Sequence, residues 1–255
     1  EDFESVRCYT RSQRVLEEFR VPVFIVAGNH DIGGWDATPP SQGTSRRDWW
    51  RFFGWKWLQN PPAGYMRTQN YSFDYGGIRY IGMESYENYD DYVHDTYGDL
   101  SFTSLQIDWL SDQLIESADY DNRVLFYHYD FSDQIDLGSL DVKMALWGHI
   151  HYNTGSIYDE PYNLGTDNVC DDECAYRVVK VSGNELSPKL TCYAFQDGVD
   201  MVSIEYIPGN DGSHESVEAI LTNNHDISFE HARVRFVMPL EPAEYTVTGG
   251  IVEQV

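Results

Sequence analysis

Three apolar runs in this chain end alike. VPVFIVA at 21–27 leads into GNHD, RVLFY at 123–127 into HYD, and VKMALW at 142–147 into GHIH. Each run has the length and β-branched content of a buried strand. An amide, imidazole or carboxylate costs free energy when buried without partners, so a strand has no structural reason to finish in them. In open α/β sheets, ligands sit outside the carboxyl ends of the strands. Three strands delivering histidine at their ends predict a layered α/β fold with a polar site there.

The intervening sequence supports that class. Residues 3–20 carry Val6, Val15, Leu16 and Phe19 at helical spacing, and Pro22 ends the pattern. YSFDY, Gly76-Gly77 and IRYIGM read as a β-hairpin, and LQIDWLSDQLI at 105–115 as an amphipathic helix. Residues 32–70 are loop-rich and enclose RRDWWRFFGWKWLQ, either a helix packing an apolar face or an aromatic wall beside a cleft. After about residue 195 the texture becomes strands only: MVSIEYI, SVEAILTNN, ARVRFVMP and YTVTGGIVEQV, separated by Gly, Asn and Pro. The expected organisation is an α/β domain over 1–195 and a small β-sandwich or Ig-like module over 196–255. GGIVEQV reads as a strand in mid-course, so the module is expected to continue past it.

Charge narrows the function classes. Forty-two Asp and Glu against 17 Lys and Arg give a formal net charge of -25. Such a surface repels phosphate backbones, which argues against nucleic-acid partners. No run of about 18 apolar residues is present, so no membrane span is expected. The opening EDFESVRCYT has neither a Met start nor a signal-peptide pattern and reads as a processed piece. Few lysines and many carboxylates suit a salty or calcium-rich medium, or simply a solvated acidic surface. Cys170 and Cys174 flank DDE, a spacing for a small disulfide loop or half a zinc site. With no second pair to complete a zinc cage, a disulfide is expected, with connectivity among Cys8, Cys170, Cys174 and Cys192 left open. The expected location is therefore extracellular or at the cell surface. The acidic stretches DNVCDDE and YENYDDYVHD lack EF-hand spacing.

Asn29, His128, His149 and His151 are the candidate metal ligands. Imidazole binds zinc, iron, manganese and nickel, and an amide oxygen suits harder ions. His149 and His151 lie two apart, so in a loop they are free to serve two adjacent ions.

GNHD at 28–31, a strand-borne histidine at 128 and GHIH at 148–151 resemble, in order and spacing, the calcineurin-like metallophosphoesterase family. YSFDYGGIRYIGMES and the helix preceding the His128 strand fit the same pattern, so the likeness covers roughly residues 1–190. The resemblance implies a four-layer β-sandwich flanked by helices and a hydrolase of phosphomonoesters or phosphodiesters. It also implies two divalent ions, Fe, Zn or Mn. Asn29, His128 and His149 would hold one ion and His151 the other. His30 would protonate the leaving group or steady the phosphoryl charge, with Asp31 orienting it. The family also carries an Asp-x-His and a Gly-Asp upstream of GNHD, which supply a bridging carboxylate. Here GNHD arrives after 27 residues, so truncation or separate cleavage is expected. The family's Pro two positions after the strand-borne histidine is replaced by Asp130. The alternative is a degenerate relative kept as an extracellular structural or assembly subunit, self-assembling through its C-terminal β-module.

Overall fold

The computed structural model describes residues 6–28, 31, 52–53, 70–84, 102, 104–132, 134–169, 174–229, 232–241 and 244–251. Two compact units emerge. One is Glu1–Cys170 with Ala175–Thr191, and the other is Asp171–Cys174 with Cys192–Val255. No helix among the described residues is long and apolar enough to cross a membrane.

The first unit is built on a five-stranded mixed sheet in the order β1-β2-β3-β4-β5. Its strands are β1 Asn70–Tyr75, β2 Ile78–Met83, β3 Asn122–Phe126, β4 Met144–Trp147 and β5 Tyr162–Gly165. β1 and β2 pair antiparallel, and β2 through β5 run parallel. Gly76 and Gly77 join β1 to β2 with φ of 62° and 79°. A two-residue hairpin needs positive φ at both central positions, which Gly adopts at least cost. Helix α1 spans Val6–Glu18, and helix α2, Ser104–Glu116, lies between β2 and β3 in sequence.

Burial on both faces explains the near-continuous apolar runs. Side chains alternate across a strand, so successive residues enter different cores. Ile81, Met83, Leu125, Ala145 and Trp147 pack on one face with Leu110, Phe131, Ile135 and Val142. Ile78, Val124, Met144, Tyr162 and Leu164 pack on the other with Leu186. Leu186 belongs to the antiparallel pair Val179–Ser182 and Glu185–Pro188.

Many polar groups in this interior are partnered, while Asn122 Oδ1 and Tyr127 Oη have no hydrogen bond among the described residues. Gln106 is fully buried and donates to Asn70 Oδ1 at 3.0 Å and to the Glu84 carbonyl at 2.6 Å, tying α2 to β1. Arg123 donates to the Ser117 carbonyl at 2.7 Å and pairs with Asp141 at 2.8 Å.

Two expectations need correction. Val21–Ala27 forms no strand and lies outside the five-stranded sheet. It is held by side chains, with Tyr71 Oη donating to the Ile25 carbonyl at 2.7 Å and Phe24 stacked on Phe73 at 3.6 Å. The second concerns the C-terminal unit. MVSIEYI and SVEAILTNN do form strands, Val202–Ile207 and Glu218–Asn223, paired antiparallel. The described parts of ARVRFVMP and YTVTGGIVEQV carry no ladder, so what is described there is a hairpin and short pairings. Alternation gives a strand one apolar face but does not supply a neighbour to bond with.

Of the aromatic run at 49–57, Phe52 and Phe53 are described. Both rings pack against Tyr9 of α1, at 5.7 and 5.9 Å between centroids. Cys170 and the side chain of Cys8 lie outside the described residues, and so does the expected Cys170–Cys174 loop.

Candidate metal centre

The geometry begins where β3 and β4 end. Past the last residue of β3, Tyr127 N donates to the Leu146 carbonyl and Gly148 N to the His128 carbonyl, each at 3.1 Å. These bonds zip the two strand ends together for one more step. They put the residues after both strands side by side, so His128 Nε2 lies 3.2 Å from His149 Nδ1, with the rings at 78°.

The backbone around His149 is special. His149 and His151 both have positive φ, 69° and 54°, and Ile150 N donates to the Gly148 carbonyl at 2.8 Å. Non-glycine residues in the left-handed region cost about 1–3 kcal/mol each, and such positions cluster at functional sites. His149 is half-buried, while His151 is exposed. Desolvation holds the His149 pKa below its ordinary value, and the charge of His151 lowers it further. The His149 ring is therefore neutral near pH 7, with a lone pair to offer.

GNHD reaches the same place through Gly28. A Cβ on Gly28 would lie 2.8 Å from His128 Cε1 and 3.0 Å from its Nδ1. Only glycine lets this backbone lie flat on the imidazole. Asp31 closes the turn: its Oδ2 accepts from Gly28 N at 2.8 Å, and Asp31 N donates to the Gly28 carbonyl at 3.1 Å. Tyr9 Oη donates to the Asp31 carbonyl, tying the turn to α1. Asn29 and His30 lie outside the described residues, so the geometry of the first as a ligand and of the second as an acid lies there too.

Of the expected site residues, the structure brings His128 and His149 into contact and places His151 two residues on. It uses Asp31 to brace Gly28. Among the described residues, no three His, Cys, Asp or Glu side chains surround one point. The His128–His149 pair nevertheless fits a shared ion. Two nitrogens at about 2.0–2.1 Å from one ion stand roughly 2.9–3.4 Å apart for angles between octahedral and tetrahedral. The observed 3.2 Å falls inside that range.

Sequence reasoning passed over three contributors. Gly28 was visible only as a motif letter. Tyr129 sets its ring against His149 at 4.8 Å, and an aromatic after a strand-end histidine gave no sign of that. Asn163 is a polar residue in the short strand YNLG, and its polarity there was the available signal.

A search of curated proteins returned no significant match. The family model described as calcineurin-like phosphoesterase matches residues 5–153, more than half of the chain and inclusive of GNHD, His128 and GHIH. The chain belongs to the calcineurin-like phosphoesterase family.

Proposed function

We propose that this protein hydrolyses phosphoester bonds with divalent ions held by Asn29, His128, His149 and His151. The observation that carries the reading is the 3.2 Å approach of His128 Nε2 to His149 Nδ1 at two zipped strand ends. Two imidazole nitrogens at that distance share a proton in an N–H···N hydrogen bond or, when each presents its lone pair, share a cation. Bound ions would supply Lewis acidity toward phosphoryl oxygens and a hydroxide at neutral pH. The protein's own groups position and exchange protons. His128 and His149 present nitrogen lone pairs from fixed backbone. Asp31 braces the turn that carries His30, and His30 donates a proton to the leaving oxygen. Tyr129 packs on His149 and limits its ring motion.

In this reading residues 1–195 make the phosphoesterase domain, completed as a four-layer sandwich, and 196–255 form an appended β-module. The acidic surface suits an extracellular setting.

The test pairs binding with turnover. Mn²⁺ is titrated calorimetrically into wild type, His128→Ala and His149→Ala. The same proteins are assayed on p-nitrophenyl phosphate and bis-p-nitrophenyl phosphate. Saturable Mn²⁺ binding with hydrolysis of either ester, both lost in the variants, is the expected result. Binding without turnover would support the assembly-subunit alternative, and no binding would remove the metal reading.

A further inference from the structure

Three polar side chains tie the histidine-bearing turns together from behind. Trp147 is the last residue of β4, immediately before Gly148-His149, and is buried. A buried indole N–H requires an acceptor. It finds one in Asn163 Oδ1 of β5, at 2.7 Å. The other end of the same amide, Asn163 Nδ2, donates to Asp130 Oδ1 at 3.2 Å. Asp130 follows His128 by two residues, and its Oδ1 also accepts from Ser132 N at 3.0 Å.

The amide has one productive orientation. Its oxygen must meet the indole, which only donates, and its NH₂ must meet the carboxylate, which only accepts. A flipped amide would oppose donor to donor and acceptor to acceptor. The position also follows from the sheet. Asn163 pairs with Ala145 in register, so its side chain emerges on the Ala145 and Trp147 face. Gly165, opposite Trp147, leaves room for the ring, because a Cβ there would lie 3.0 Å from the indole.

We infer that Asn163 is a positioning residue: with Asp130 it straps the His128 turn to the His149 turn and fixes the separation of the two imidazoles. This deepens the metal reading above and rests on it for its consequence in metal affinity. The strap itself is a property of the metal-free chain. It also gives Asp130 a role in this protein, as the acceptor that the turn after His128 needs.

The test is an exchange of partners. Asn163→Asp keeps an acceptor for Trp147 but sets a second carboxylate against Asp130, whose charge then repels it. Adding Asp130→Asn remakes both bonds of residue 163: the new amide donates to the new carboxylate, which still accepts from the indole, while the bond from Ser132 N, which shares Asp130 Oδ1, is given up. Two readouts are taken on the full chain. One is the nuclear Overhauser contact between the His128 and His149 rings in metal-free protein. The other is Mn²⁺ affinity by calorimetry. Asn163→Asp should lose the ring contact and weaken Mn²⁺ binding by about 10–100-fold, the range for partners behind metal ligands. The double exchange should restore the contact and recover most of the lost affinity, since the indole bond and the bond between residues 163 and 130 are remade. An unchanged ring contact in Asn163→Asp, or a double variant as impaired as the single, overturns the inference. If wild type binds no Mn²⁺ but the ring contact is lost and restored as described, the strap stands and the metal reading falls.

Discussion

Among the described residues, two hairpins have the same hydrogen-bonded length. β1 and β2 pair over six positions, and so do Val202–Ile207 and Glu218–Asn223. In the first, Ile78, Ile81 and Met83 are at most 1% exposed, and β3 continues the sheet on the β2 side. In the second, Val202, Ile204, Ile207, Ile220 and Leu221 are 41–49% exposed and, among the described residues, no further strand extends the ladder. Backbone bonds exchange for water bonds at small net gain, whereas apolar burial is worth about 25 cal/mol per Å². Equal ladders therefore carry very unequal stability, and a two-stranded ribbon alone is marginal in water. His128 and His149 follow two strands of the well-buried sheet.

The largest contrast should come from truncating one apolar residue on each side. Leu125→Ala, at a fully buried position of β3, should cost about 2–5 kcal/mol, read as a lowered denaturant midpoint. Ile204→Ala, 44% exposed, should cost under about 1 kcal/mol, because much of its surface is already in water. Similar losses at both positions would break the comparison.

A second contrast separates core from site within the buried unit. A Cβ on Gly82 of β2 would lie 2.7 Å from the Phe126 ring, and one on Gly28 would lie 2.8 Å from His128. Both Gly→Ala changes crowd an aromatic ring and should cost about 1–3 kcal/mol. Gly28→Ala alone should also weaken Mn²⁺ binding by more than about tenfold, since it displaces His128. Calorimetry beside thermal melts checks both; equal Mn²⁺ affinity in the two variants would detach Gly28 from the site.

The smallest contrast lies in the turns. Gly77→Ala in the β1–β2 turn meets open space but keeps φ of 79°, so it should cost about 1 kcal/mol through backbone strain alone. Amide exchange sharpens the same point. Protection on Ile81 and Leu125 should approach the global value, and protection across Val202–Ile207 should be far lower.

How much of this was readable in the sequence depended on how local the cause was. β3 and β4 were legible because burial on both faces leaves a continuous apolar run, and the β1–β2 turn because Gly76-Gly77 leaves few other conformations. Val21–Ala27 looks the same as β3 in sequence, yet it has no ladder, because a run of apolar residues does not name its neighbour. The same holds for ARVRFVMP, whose alternation was read as a strand. The approach of His128 to His149 was foreshadowed by their places just past the ends of β3 and β4. Gly28 against His128 and Asn163 between Trp147 and Asp130 were not. Those contacts join residues 100 and 33 positions apart, and they exist only once the sheet aligns its strand ends.

The most direct test of the account is Mn²⁺ stoichiometry and affinity in wild type beside His128→Ala and His149→Ala, with circular dichroism on the same samples. The account predicts saturable binding in wild type and its loss in both variants, with the fold of each retained. Undiminished binding in both variants would contradict it, because the ion would then sit somewhere other than between these two imidazoles.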